Sequence, residues 1–223
     1  MKLTIFNGSP RGKVSNTKFL LDRFTEGFLE KDGNSVGLVY LNQVKNQDKF
    51  LAEFQEAEAV LLAFPLYCDS MPAIVKTFIE SLEPLCGRKN NPSIGFLVQG
   101  GFPEGIHSVY VARYLEKLSK RLGCTHLGTI TRGGTEGIQD HPHSMITRKT
   151  LGQMYMVGKI FSEKGIFDTS IMKKMAKPMK MGWLSGLIFR VTGLPLINHF
   201  LWGKKLKENG AYEKRFIRPY VQS

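Results

Sequence analysis

AVLLAFPLYCDSMPAIVKTFIESL, residues 59–82, sets the pattern for the whole chain. Its first nine residues, Ala59 to Tyr67, form a continuous apolar run of the kind that makes a strand covered on both faces in a parallel sheet. Pro72 then stands where the first turn of a helix accepts proline, and Ile74, Val75, Phe78, Ile79 and Leu82 recur along one helical face. A buried strand that passes through a short turn into an amphipathic helix is the building block of an α/β protein.

The same unit recurs on both sides. Upstream, KLTIFN (2–7) is a β-branched and aromatic run ending at Gly8. In SNTKFLLDRFTEGFLEKDG (15–33), Phe19, Leu20, Leu21, Phe24, Phe28 and Leu29 fall at helical spacing, with Ser15 or Asn16 as the cap and Gly33 as the stop. SVGLVYL (35–41) reads as a strand and 47–58 as a helix with Phe50, Leu51 and Phe54 on one side. Downstream, 94–99, 109–122, 127–132 and 148–164 continue as strand, helix, strand, helix. Five strands alternating with helices predict a parallel three-layer α/β sandwich.

With 223 residues, 42% of them apolar, the chain can bury one substantial core. The alternation stops after Gly165, so the expected organisation is one domain over 1–168 and a basic, helical extension over 169–223. Residues 171–223 hold 11 Lys and Arg against 2 Asp and Glu, which is +9 of the formal +12. Trp183 to Trp202 approaches the length of a membrane span, but Arg190, Asn198 and His199 interrupt it and Pro195 would break a helix, which argues against a span. Met172, Met175 and Met179 among lysines, with tryptophans flanking an apolar segment, suit a peripheral contact with anionic headgroups. The plainer expectation is an extension packed on its own domain or on a dimer partner. The basic residues are interleaved with bulky aliphatics and no nucleic-acid-binding module appears, so no nucleic-acid partner is expected. Cys68, Cys86 and Cys124 make neither a disulfide framework nor a metal motif and favour a reducing compartment. The lead from Met1-Lys2 into LTIF is no signal-peptide apolar region, so a cytoplasmic location is expected.

NGSPRGKVSNT, residues 7–17, joins the first strand to its helix. Gly8 and Gly12 have three residues between them rather than the four of a nucleoside-triphosphate loop, and Lys13 is followed by Val14 rather than by a magnesium-binding hydroxyl. The dinucleotide fingerprint fails as well, since GxGxxG is absent and Leu41 is followed by Asn42 rather than by an acid for a ribose. What remains fits one phosphate monoester: the free amides and partial positive charge of a helix N-terminus, the short polar side chains of Ser9, Ser15, Asn16 and Thr17, and the guanidinium of Arg11. Taken alone, this stretch is equally a capped turn with an exposed arginine. In an open parallel sheet of order 2-1-3-4-5 the ligand crevice lies beyond the ends of strands one and three. There NGSPRGKVSNT would face PLYCDSMP (65–72).

GSPRxxxSNT after the first strand, together with PLYxxSMPAxxKxFIxxL after the third, resembles the NAD(P)H-dependent FMN reductases and flavodoxin-like quinone reductases, including the flavin domain of iron-sulfur flavoproteins. The resemblance runs from residue 1 to about 165. It implies a flavodoxin-like fold and a homodimeric enzyme in which FMN takes a hydride from NADH or NADPH and passes electrons to a quinone, nitroaromatic or similar small-molecule acceptor. By that resemblance Ser9, Arg11, Ser15, Asn16 and Thr17 bind the FMN phosphate, while Pro65, Leu66, Tyr67, Cys68, Ser70 and Met71 line the flavin ring. Gln99, Gly100, Gly101 and Phe102 would offer amides near the pyrimidine edge, where a donor stabilises charge on reduced flavin. The hydride chemistry would rest on the flavin, with no side chain singled out as catalytic. Cys68 stands where relatives often carry tryptophan, which leaves ring cover to Tyr67 or Phe102. The four-cysteine motif of the iron-sulfur flavoproteins is missing, so neither a cluster nor another metal is expected.

Asp140-His141-Pro142-His143 matches no zinc spacing and reads as a surface turn. Arg132-Gly133-Gly134-Thr135-Glu136-Gly137 follows the fifth strand on the same sheet edge and reads either as part of the substrate entrance or as a flexible loop. Cys124 reads as core, Cys68 as an apolar filler or a redox-sensitive thiol, and His107 and His126 as capping or packing residues. Two other functions share such a fold: a flavodoxin-like carrier exchanging electrons with protein partners, and a scaffold whose basic tail binds an anionic membrane or an acidic protein.

Overall fold

Lys2–Asn7 (β1), Ser35–Tyr40 (β2), Ala59–Pro65 (β3), Ser93–Gln99 (β4) and His126–Arg132 (β5) pair in parallel, in the order β2-β1-β3-β4-β5. In this computed structural model, which describes residues 1–102, 105–177 and 203–218, the strands alternate with α1 (Asn16–Phe28), α2 (Gln47–Gln55), α3 (Ala73–Ser81), α4 (Val109–Leu122) and α5 (Met145–Lys164). β3 ends at Pro65 rather than Tyr67 because the next residues fold into a tight hairpin. Similarly, α5 starts three residues earlier than the periodicity predicts because Ser144 caps it, its hydroxyl accepting from Thr147 N.

The period-two alternation of strand side chains divides the interior into two layers. Leu3, Ile5, Leu61, Ala63 and Leu97 face α1 and α5, where Phe24, Phe28 and Phe161 cluster. Phe6, Val60, Leu62, Phe64, Phe96 and Val98 face α2, α3 and α4 and pack on Phe54, Phe78 and Leu115. Every residue of β3 is buried, which accounts for its unbroken apolar sequence.

α1 and α5 pack backbone to backbone through two glycines. A Cβ on Gly158 would lie 1.9 Å from Phe24 O, and one on Gly27 would lie 2.0 Å from Tyr155 O.

One compact unit runs from Met1 to Met179 and takes in a further helix, α6 (Thr169–Ala176), beyond the boundary expected at residue 168. Phe167 explains why the chain continues on the same body. Its amide donates to Leu127 O at 2.8 Å, and its ring fills the hollow left by Gly95 and Gly128. Asp168 then caps α6 and Met175 is buried in the core, which removes Met175 from any membrane-facing role.

The residues from Lys180 form a second compact unit, described over 203–218. A short helix (Lys204–Glu208) leads into turns where the Arg215 guanidinium lies 3.9 Å from the Tyr212 ring centroid and 4.7 Å from that of Phe216. Phe216 and Ile217 are exposed. The Trp183–Trp202 segment lies outside the described residues, among which no helix is long and apolar enough to cross a membrane.

Candidate functional site at the reversal of the strand order

β1 ends in a turn shaped by its own last side chain. Asn7 Oδ1 accepts from Ser9 N (3.0 Å) and Asn7 Nδ2 donates to Gly12 O (3.4 Å). Gly12 has a φ of +53°, and a Cβ there would meet the Asn42 side chain at 2.4 Å, so the turn needs glycine. Ser15 Oγ donates to Gly12 O (2.6 Å) and accepts from Lys18 N (3.1 Å), which caps α1. The first-turn amides of Asn16 and Thr17 have no acceptor within the helix and sit at its positive end. Ser9 and Ser15 are buried; Arg11 is exposed.

The side chains of Asn16 and Thr17 point elsewhere. Asn16 Nδ2 donates to Thr135 O (3.0 Å) and its Oδ1 accepts from Gln139 Nε2 (2.8 Å). Thr17 Oγ1 accepts from Gln99 Nε2 (3.3 Å), while Gln99 Oε1 accepts from the Thr135 hydroxyl. These buried bonds tie α1 to β4 and to the loop after β5. What positions 16 and 17 have left to offer an anion is the backbone N–H.

Beyond β3, Tyr67 N donates to Ser70 O (2.8 Å) and Ser70 N to Tyr67 O (2.9 Å). The two residues between them, Cys68 and Asp69, have φ of +46° and +59°. This is the left-handed pair of a two-residue hairpin, which ordinarily carries Asn and Gly. Asp tolerates the conformation, whereas a cysteine in it costs about 1 kcal/mol, and strain of this kind gathers at ligand clamps. Pro65 is buried, Leu66 and Met71 are half-buried, and Tyr67, Cys68 and Ser70 are exposed. Leu66 N donates to Gln99 O (2.7 Å), which holds the turn against β4.

The Gly100 amide continues the sheet ladder by donating to Arg132 O (2.9 Å), leaving Gly101 and Phe102 as the exposed part of the β4 loop. The Phe102 ring lies 5.1 Å from that of His107, centroid to centroid. His107 in turn places Nδ1 2.9 Å from Asp69 Oδ1, so that Nδ1–H donates to the carboxylate. A cavity of about 200 Å³ lies between these loops, bounded by Leu66, Cys68, Asp69, Gly101, Phe102 and His107. Nothing local in the sequence marks His107, because its partner is 38 positions away. The expected site residues thus all lie at the C-terminal edge of β1, β3 and β4, where the strand order reverses.

Two larger hollows, about 410 Å³ beside α3 and α4 and about 550 Å³ among α4, β5 and α6, include no residue of the strained turn, whereas one of about 340 Å³ adjoins it at Asp69, Ser70 and Met71. The Asp140–His143 stretch continues the turns before α5, with His141 N donating to Gly137 O. Among the described residues no three His, Cys, Asp or Glu side chains gather as a metal set. The donor set fits FMN: unengaged helix-terminal amides beside an arginine for its phosphate, and a cavity with carbon-rich walls and a glycine backbone for its ring.

A family model described as flavodoxin-like fold matches residues 1–82. No curated protein sequence matches the chain. Among solved structures, an FMN-dependent NADH-azoreductase of Bacillus anthracis in complex with FMN is 13% identical, with a TM-score of 0.56 over 74% of this chain and 99% of its own. An NAD(P)H:quinone oxidoreductase of Methanothermobacter marburgensis is 16% identical, with a TM-score of 0.56 over 71% and 94%. A second azoreductase of Bacillus anthracis is 17% identical, with a TM-score of 0.55 over 72% and 100%. At these identities the likeness is one of fold, and the fold of this chain is flavodoxin-like.

Proposed function

We propose that this chain is an FMN-dependent oxidoreductase that draws electrons from NADH or NADPH and passes them to a quinone, nitroaromatic or similar small-molecule acceptor. One observation carries the reading: the anion-ready N-terminus of α1 and a cavity with a glycine backbone lie on the same C-terminal edge of the sheet, the first at the single reversal of strand order and the second beyond β3 and β4. A flavin mononucleotide has a phosphate for the first and a planar ring for the second. The fold shared with an FMN-bound NADH-azoreductase supports the choice of cofactor.

When bound, FMN supplies the hydride chemistry. The chain's own residues bind and orient. The amides of Asn16 and Thr17, the Ser9 hydroxyl and the Arg11 guanidinium hold the phosphate, while Ser15, whose hydroxyl donates to Gly12 O, shapes the turn that presents them. Leu66, the Cys68-Asp69 turn and Phe102 hold the ring and keep water from it, and the Gly101 amide serves its polar edge. Reduction of a quinone by hydride also needs one proton on oxygen, and His107 Nε2 delivers it while Asp69 orients the ring through Nδ1–H.

The phosphate assignment is tested with two ligands. Arg11→Ala should weaken FMN by about 1.5 kcal/mol, the low end for a charged hydrogen bond because the guanidinium is exposed, and leave riboflavin unchanged. Equal losses for both ligands in a fluorescence titration would remove Arg11 from the phosphate.

We place the enzyme in the cytoplasm, where its three free cysteines stay reduced, and as a homodimer. The exposed Phe216 and Ile217, in a segment that carries Lys214, Arg215 and Arg218, suit an anionic bilayer surface. Sedimentation reads both points. The full chain should pellet with phosphatidylserine vesicles and Phe216→Glu should not, and a monomer at equilibrium would remove the dimer.

A further inference from the structure

Arg132 closes β5 with its side chain directed into the layer of α1 and α5, and it is only 5% exposed. Its Nη2 donates to Thr150 Oγ1 at 2.6 Å, its Nε has no acceptor, and among the described residues no carboxylate pairs with it. A buried guanidinium with one neutral partner is costly to the fold, and replacing such a charge by an apolar side chain of similar length commonly stabilises a protein. Burial also lowers its pKa, the sign of a charge held without compensation.

Its position relates that charge to the cavity. Arg132 is the register partner of Gln99, its carbonyl accepts from Gly100 N at 2.9 Å, and the next residue, Gly133, lines the cavity. The chain thus passes from a buried cation directed at α5 to a cavity-lining glycine in one residue.

We propose that Arg132 is a buried counter-charge for the reduced cofactor, tuning its potential through the field and without touching it. The inference rests on the FMN reading. Two-electron reduction places negative charge on the ring system, and an uncompensated buried cation on the residue next to the cavity-lining Gly133 favours that state over the neutral oxidised one. The residue is thus a positioning residue of electrostatic kind, held unpaired so that its field is not cancelled.

The test uses full-length Arg132→Met and Arg132→Lys, with three readouts: FMN affinity, melting temperature and the midpoint potential of the bound flavin. Arg132→Met should bind oxidised FMN as the parent does and melt no lower. Its ratio of reduced to oxidised dissociation constants should rise about tenfold, which is about 30 mV lower for a two-electron couple. Arg132→Lys, which keeps the charge, should keep the potential. A lower melting temperature with an unmoved potential would make Arg132 a structural residue and overturn the inference while the FMN reading stands. A parent protein that binds no FMN would overturn the reading itself.

Discussion

Gly158→Val is expected to destabilise the protein by about 3 kcal/mol or more, and to do so without any ligand present. A side chain at 158 begins 1.9 Å from the Phe24 carbonyl and 3.0 Å from Phe28 N, both backbone atoms of α1, so no rotamer change relieves the clash and the two helices must separate. Separation would open the packing of Phe24 and Phe28 against Phe161, whose ring centroids lie 5.8 and 6.0 Å from theirs. It would also pull α1 from β4, where Thr17 accepts from Gln99, and so loosen the phosphate end of the site. Gly152 in the same helix is the control, since a Cβ there meets nothing within 4 Å. Gly152→Ala should stabilise by about 1 kcal/mol through helix propensity alone. Urea denaturation of both variants checks the contrast; a Gly158→Val protein as stable as the parent would contradict the packing.

His107→Ala should slow quinone reduction about a hundredfold, while reduction of the bound flavin by nicotinamide proceeds at the parental rate. The split follows from the roles: the nicotinamide delivers a hydride that needs no protein acid, whereas the acceptor oxygen must be protonated. The hundredfold figure is the low end for general acid catalysis, because His107 retains about a third of its side-chain exposure and water can replace it in part. Asp69→Asn should cost less. Asparagine keeps the left-handed turn and can still accept from Nδ1–H, so the ring keeps its orientation. Stopped-flow measurement of the two half-reactions separates these outcomes, and added imidazole should rescue His107→Ala. Equal slowing of both halves would indicate a misplaced ring rather than a missing proton donor.

Most of the fold was legible because β3 and the helix after it obey two simple periodicities, and the other strands and helices repeat them. The phosphate end was partly legible. The failed nucleoside-triphosphate pattern in NGSPRGKVSNT pointed to a small anion site, but the sequence could not show that the side chains of Asn16 and Thr17 turn inward to Thr135, Gln139 and Gln99. Those partners lie more than 80 positions away and are brought near only by the packing of α1 against the sheet. His107 was hidden for the same reason, as its significance depends on Asp69 being thrown outward by a left-handed hairpin. Arg132, at the end of a strand and before Gly-Gly, reads as a loop residue until its burial against Thr150 is seen. A helix after residue 168 was expected, but that α6 belongs to the first compact unit was not legible, because the hollow that receives Phe167 is tertiary.

The full chain loaded with FMN and made anaerobic, then mixed with NADPH or NADH, tests the central claim most directly. The account predicts that the flavin absorption band bleaches within one turnover with at least one of the two nucleotides, and that colour returns when a quinone is added. A bound flavin that stays oxidised with both nucleotides would contradict an NAD(P)H oxidoreductase and leave an electron carrier in its place.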